Sequence, residues 1–208
     1  MLRKVGVFVV MALSSAGIAS AQVAMLTQVS GDVRVSGRDG GREAVPFLKV
    51  NDGDSLTLAA GGRVQMVYLG TGRQEVWTGA GPVQIGTAQG TSRSLTPQTS
   101  QVPALVLRQL EKTPAVGQHG KTGMVMLRSL DNLEKLDALE KDYKDFRAKT
   151  AADDTTPEVF YLTGLLDLGG LDDAKKFLEE LKTRQPKQAS LGPVIDHFSR
   201  LLAEATAK

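Results

Sequence analysis

Apolar and polar residues alternate in short runs through the first half of the chain and recur every three to four positions through the second. Val29-Ser30-Gly31-Asp32-Val33-Arg34-Val35 places Val29, Val33 and Val35 on one side of a strand. Ser55-Leu56-Thr57-Leu58 is a second alternating piece. Arg63 to Leu69 is a longer one, with Arg63, Gln65, Val67 and Leu69 on one face and Val64, Met66 and Tyr68 on the other. Glu75 to Thr78 and Pro82 to Gly86 complete the series, with turns at Asp39-Gly40-Gly41, Asn51-Asp52-Gly53-Asp54 and Gly70-Thr71-Gly72. Short period-two runs separated by Gly, Asn and Asp predict an all-β module.

From Asp131 the period changes to about 3.6. Leu133, Leu136, Leu139, Tyr143 and Phe146 form an apolar stripe, and Lys135, Lys141, Lys144 and Lys149 alternate with acids opposite it. Asp131 is the expected N-cap, with Glu134 in capping-box position. Three further helices are expected: Thr156 to Leu168, with Pro157 at its first position and Gly169-Gly170 ending it; Asp172 to Arg184, stopped before Pro186; and Pro193 to Ala205. Between the halves lies a Thr-, Ser-, Gln-, Pro- and Gly-rich stretch. The expected organisation is therefore α+β: a leader over 1–21, a β domain over 22–90, a linker over 91–123 with a short helix at 102–110, and a helical domain over 124–208.

The leader carries a different pattern. Arg3 and Lys4 precede an apolar run from Val5 to Ile18, and Ala19-Ser20-Ala21 supplies a small-x-small cleavage site, so cleavage is expected between Ala21 and Gln22. The run is shorter than the roughly 20 residues of a membrane-spanning helix, and no cysteine follows it for lipid attachment. A soluble, exported protein with no membrane span in its mature chain is expected, the alternative being a leader retained as an anchor. Removing the leader leaves 23 basic and 23 acidic residues, divided 9 to 7 up to Gly120 and 14 to 16 after it. Neither half has the one-sided field that nucleic acid or anionic lipid selects. The absence of cysteine removes thiol catalysis, zinc-thiolate sites and disulfides.

The order of features in the β half resembles the FecR domain, a periplasmic module of bacterial signalling and envelope proteins. Val29-Ser30-Gly31-Asp32-Val33 is similar to that family's opening strand. Val50 to Leu56 is similar to its Gly-Asp turn, and Gly61-Gly62-Arg63-Val64-Gln65-Met66 to the glycine turn before its central strand; together they span about residues 24–88. The resemblance implies a β roll or sandwich working in the envelope. Signalling members resemble a plan with a sigma-factor-binding cytoplasmic segment. Only Met1 to Lys4 precede the apolar run here, so that role is not expected.

In the helical half, Pro157 to Pro186 resembles one tetratricopeptide repeat. Phe160 stands at the first aromatic position, Gly164 where two helices must approach closely, and Asp173-Ala174, Phe177-Leu178 and Leu181 follow the second-helix pattern. The first helix or its turn is about two residues short, and one repeat needs neighbours to bury its faces. Asp131 to Thr150 and Pro193 to Ala205 are expected to supply them. An ordinary helical hairpin is the alternative. The resemblance implies a groove for a partner segment, with Phe160, Tyr161, Phe177 and Phe198 as the aromatic positions from which its lining would come, most of the four being core residues.

No constellation amounts to an active site. His119 and His197 each lack a second ligand or orienting carboxylate, which predicts one exposed and one helix-surface histidine. Asp52 and Asp54 lack the ligand spacing of a calcium loop and fit turn chemistry. Asp172-Asp173 complements a helix start, and Asp153-Asp154 sits in a polar interhelical loop. Ser92, Ser94 and Ser100 have no base nearby, and the Gly-rich pieces lack phosphate-loop spacing. The expected function is thus a non-enzymatic periplasmic adaptor, without cofactor or metal, that binds envelope proteins. The alternative is a glycan or peptidoglycan binder using Tyr68 and Trp77, although alternation favours core positions for both.

Overall fold

The computed structural model describes residues 22–38, 40–116 and 130–206. The leader with its Ala21–Gln22 junction, the turn residue Asp39, most of the later linker and His119 lie outside the described residues. Among the described residues ten strands come first: β1 (Gln22–Ser30), β2 (Val33–Gly37), β3 (Gly40–Glu43), β4 (Lys49–Asn51), β5 (Ser55–Leu58), β6 (Arg63–Tyr68), β7 (Arg73–Thr78), β8 (Gly81–Ile85), β9 (Gly90–Thr91) and β10 (Gln98–Gln101). Five helices follow: α1 (Ala104–Lys112), α2 (Leu130–Arg147), α3 (Thr156–Asp167), α4 (Leu171–Arg184) and α5 (Leu191–Thr206). The α+β class expected from the change of period is what the chain forms.

The strands make two five-stranded antiparallel sheets, ordered β10-β7-β6-β1-β4 and β3-β2-β5-β8-β9. Leu26, Val64, Met66, Tyr68 and Trp77 from the first sheet meet Val33, Val35, Leu56, Val83 and Ile85 from the second in one buried cluster. Val29 to Val35 is not one strand. Gly31 adopts φ +74° and turns the chain between β1 and β2, and β1 continues back to Gln22. A Cβ at Gly31 would lie 3.2 Å from the backbone of Gly61 and Gly62, so the turn is also a close approach of two loops.

The centre of the first sheet, β1 and β6, is buried on both faces. The side of β6 carrying Val67, with Leu69 just beyond, turns away from the sandwich, and Met25 does the same from β1. These residues share a second core with Phe47, with Val106 and Leu110 of α1, and with the apolar faces of α3, α4 and α5. The molecule is therefore layered sheet, sheet, helices, with one apolar cluster running from β1 and β6 into the helices. The segment expected as linker is part of this construction: β10 pairs with β7, and α1 packs on α3.

α3 is the central helix, with α1, α2, α4 and α5 packed around it. Ten of its twelve residues are buried, which accounts for apolar side chains on all its faces rather than along one stripe. Gly164 sits where α2 crosses, and a Cβ there would come within 2.6 Å of the Leu139 methyls. Thr155 is the N-cap of α3, without a side-chain capping bond, and Asp154 Oδ1 accepts the Thr156 N–H at 2.9 Å. α4 opens with Asp172 and Asp173 in its first turn, as helix electrostatics favours.

Among the described residues no helix is long and apolar enough to cross a membrane. One backbone feature stands out. Phe47, 1 % exposed, has φ +65°, a conformation that costs a bulky residue about 1–3 kcal/mol and persists only where its surroundings enforce it. Its N–H donates to the Leu26 carbonyl (2.7 Å), and its carbonyl accepts from Val116 N–H (3.2 Å).

Candidate functional site

The outer face of the first sheet is apolar where the helices cover it and polar beyond. On that polar part Arg63 and Gln65 of β6 lie beside Gln74 and Val76 of β7. β10 forms one wall, and Phe146 at the end of α2 with the following loop to Asp154 forms the other. Together they enclose a cleft of about 440 Å³. A second chamber of about 300 Å³ continues past Arg63 and Asp153, bounded by Thr27 to Ser30, Pro46, Ser190 and Pro193. An ion pair between Arg63 Nη1 and Asp153 Oδ2 (3.2 Å) stands between the two chambers. Both partners are about half exposed, so the pair holds position rather than supplying much stability.

The loop wall is fixed to the sheet by one buried carboxylate. Asp154, 6 % exposed, accepts from Gln65 Nε2 (2.8 Å), Gln74 Nε2 (2.9 Å), Thr156 N–H (2.9 Å) and Thr156 Oγ1 (2.6 Å). Its expected placement in a merely polar loop understates it, since Asp154 joins two strands to the start of α3. Behind the loop, Arg147 donates to the carbonyls of Thr150, Ala151 and Asp154, which preorganises the turn. Arg147 is itself held by Glu158, a fully buried carboxylate that also accepts from Arg184 (2.9 Å). Charge-assisted bonds of this kind give a loop a single geometry. Gln28 Nε2 and Ser190 Oγ both donate to the Asp153 carbonyl, completing the wall of the second chamber.

The cleft presents the amides and hydroxyls of Gln98, Thr99, Ser100 and Gln101 along β10 and of Thr150 opposite, interleaved with Lys149 and with the apolar surfaces of Val76, Val102, Pro103 and Phe146. β10 is the last strand of its sheet and is exposed at all four residues, so one of its edges is open. Such a strand can pair with an extended chain.

Of the four aromatic positions expected to line a helical groove, Phe160 and Phe198 are fully buried and Phe177 is 7 % exposed. The first two are core residues; Phe198 lies edge-on to Phe47 at 6.1 Å, packing a helix against the β module. Tyr161 is half-buried and stacks on Tyr143 at 4.7 Å, with Phe177 edge-on at 4.8 Å. Tyr161 and Phe177 do border one recess of about 220 Å³ between α2, α3 and α4, with Glu140, Asp173 and Glu180 on its rim. Burial first, then these three carboxylates, pushes the Tyr161 hydroxyl up to about 12. Tyr68 and Trp77 are 0 % and 1 % exposed, which removes them as a sugar platform. Trp77 Nε1 instead donates to Glu75 Oε2 (3.0 Å), and Arg73 Nε donates to Glu75 Oε1 (2.6 Å).

His197 is not on a helix surface. It is 5 % exposed and stacks on the Phe47 ring at 4.3 Å. Burial, then the Arg200 charge, lowers its pKa to about 4. Asp54 Oδ2 accepts the Asn51 N–H at 2.8 Å, the turn chemistry expected of it. Ser92 Oγ donates to the Pro82 carbonyl. Among the described residues no three His, Cys, Asp or Glu side chains converge to hold a metal ion. No family model, curated protein or solved structure matches the chain.

Proposed function

We propose that this protein is an exported, non-enzymatic adaptor of the bacterial envelope that binds an extended segment of a partner protein in the cleft between sheet and helices. The observation that carries the reading is the open edge of β10 on the rim of a preorganised polar cleft. Backbone pairing to β10 supplies affinity, and the Gln, Ser and Thr side chains facing the cleft select the partner's alternate residues. A FecR-like role for the β module and a tetratricopeptide-like role for α2 to α5 fit the same assignment. The binding surface then lies between the halves rather than in a groove of the helices alone. The leader pattern supports a periplasmic location for this work.

A second reading, a glycan or peptidoglycan strand in the same cleft, is favoured by its amide and hydroxyl lining, although the buried Tyr68 and Trp77 cannot contribute. One experiment separates the two. A photo-crosslinking residue replaces Ser100 in the full chain in periplasm, with the same residue at Thr57 on the second sheet as control. A discrete protein adduct at position 100, absent at 57, supports the adaptor. Saccharide retained without a protein adduct supports the glycan reading, and equal labelling at both positions refutes the cleft as the site.

A further inference from the structure

The second chamber of the cleft rests on a joint built around His197. Pro46, in its wall, immediately precedes Phe47; Pro193, also in its wall, lies one helical turn before His197 on α5. The His197 ring stacks on Phe47 and hydrogen-bonds the Pro114 carbonyl, while its Nε2 is buried with no partner. Three separate segments meet at this ring: the turn before β4, the 113–116 stretch after α1, and α5. Phe47 is held there in its left-handed conformation.

We propose that His197 is an acid-sensitive latch: neutral, it closes α5 on the Phe47 turn and the 113–116 stretch, and protonated, it releases both and opens the Pro46–Pro193 wall of the cleft. A neutral imidazole tolerates an unpartnered ring nitrogen at modest cost. An imidazolium would carry an unpaired, buried N–H and a full charge.

The Pro114 carbonyl is the one group that favours that charge, and it is outweighed by burial; among the described residues no carboxylate answers the charge. On the neighbouring segments, Lys49 Nζ donates to the Glu111 carbonyl (3.1 Å), and Lys112 pairs with Asp167 of α3. Glu158 of α3 is committed to Arg147 and to Arg184 of α4. On α5 itself Asp196 precedes the ring and Arg200 follows it. Of these groups only Arg200 acts on the ring, and it repels a second positive charge.

The sign follows from the lowered pKa. The folded joint favours neutral His197, so its stability is complete above the unfolded value of about 6.5 and is lost as pH falls toward 4. Between pH 7 and pH 5 the opening equilibrium of the joint rises about 20-fold from this residue alone.

The test uses the whole chain without any ligand, so its outcome is independent of the binding reading on which the cleft's role rests. The chain has two histidines, and an imidazole NMR titration assigned with His197→Phe reads His197. It is expected to titrate at least one pH unit below the ordinary value of about 6.5. Amide protection at Val116, corrected for intrinsic exchange, is expected to fall about 20-fold more from pH 7 to pH 5 than in His197→Phe, which keeps the stacked ring without a titrating group. His197→Asn, a neutral residue retaining a short donor, replaces that control if the phenylalanine variant does not fold. Titration of His197 at the ordinary value of about 6.5, or equal loss of protection in the parent and the neutral variant, overturns the latch.

Discussion

Asp154→Ala is the substitution that most directly probes how the helical half is seated on the sheet. The carboxylate accepts four hydrogen bonds, two of them from Gln65 and Gln74 amides that are 1 % and 6 % exposed. Truncation strands those amides, and a buried donor left without a partner costs about 1–3 kcal/mol. Gln65 Nε2 keeps a weaker acceptor in Thr156 Oγ1 at 3.2 Å, and the adjoining cleft admits water to the Gln74 side. These two reliefs bring the expected loss to about 3 kcal/mol. Asp154→Asn retains one acceptor oxygen and places its amide nitrogen against one donor, so about 1 kcal/mol is expected. Urea unfolding with linear extrapolation measures both. In the double variant with Gln74→Leu the losses should be non-additive by about 1 kcal/mol, because the stranded amide is gone. Loss of less than about 0.5 kcal/mol in Asp154→Ala, the range of ordinary surface substitutions, would refute the buried network.

Two further substitutions test the supports behind the cleft. Glu158→Gln removes the counter-charge of Arg147 and Arg184; with Arg184 partly exposed and so screened, about 2 kcal/mol of stability should be lost, read as a lowered thermal midpoint. Gly164→Ala drives a methyl into Leu139 across the α2–α3 crossing and should cost about 1–2 kcal/mol in urea unfolding; an unchanged midpoint would place α2 elsewhere.

What the sequence made legible follows the strength of each periodic signal. α3, α4 and α5 fall within two residues of their expected limits because apolar spacing, Pro157, Gly169 and Pro186 all mark the same ends. The two faces of β6 were also legible, and so was the helix within the connecting segment. The near-continuous apolar run from Val64 to Leu69 additionally signals a strand covered on both sides. It is the one sequence feature that points to a shared core. β3 and β10 carry no such signal, since Gly40 to Glu43 and Gln98 to Gln101 are exposed at every position and have no apolar side to alternate. Gly31 misled in the other direction: valines on either side of it mimic a single strand, whereas its positive φ makes a turn.

The cleft was invisible for a related reason. Gln65, Gln74 and Asp154 are residue types that ordinarily face water, and their burial depends on a partner some eighty to ninety positions away. His197 gave no local hint either, because the ring that covers it, Phe47, lies in a turn of the β half. Aromatic positions on a helix mark a groove or a core equally well. Phe160 belongs to the core because α3 is surrounded by the other helices, and Phe198 because α5 packs against the Phe47 turn.

The central claim is that sheet and helices form one unit with a common core, and equilibrium unfolding of residues 22–208 tests it with two probes. Trp77, the only tryptophan, lies inside the β sandwich, while the far-ultraviolet helical signal reports α1 to α5. The shared cluster of Met25, Phe47, Val67 and Leu69 with the helices predicts coincident transitions with the same urea midpoint. Loss of helical signal at a lower midpoint, with Trp77 fluorescence still native, would contradict it.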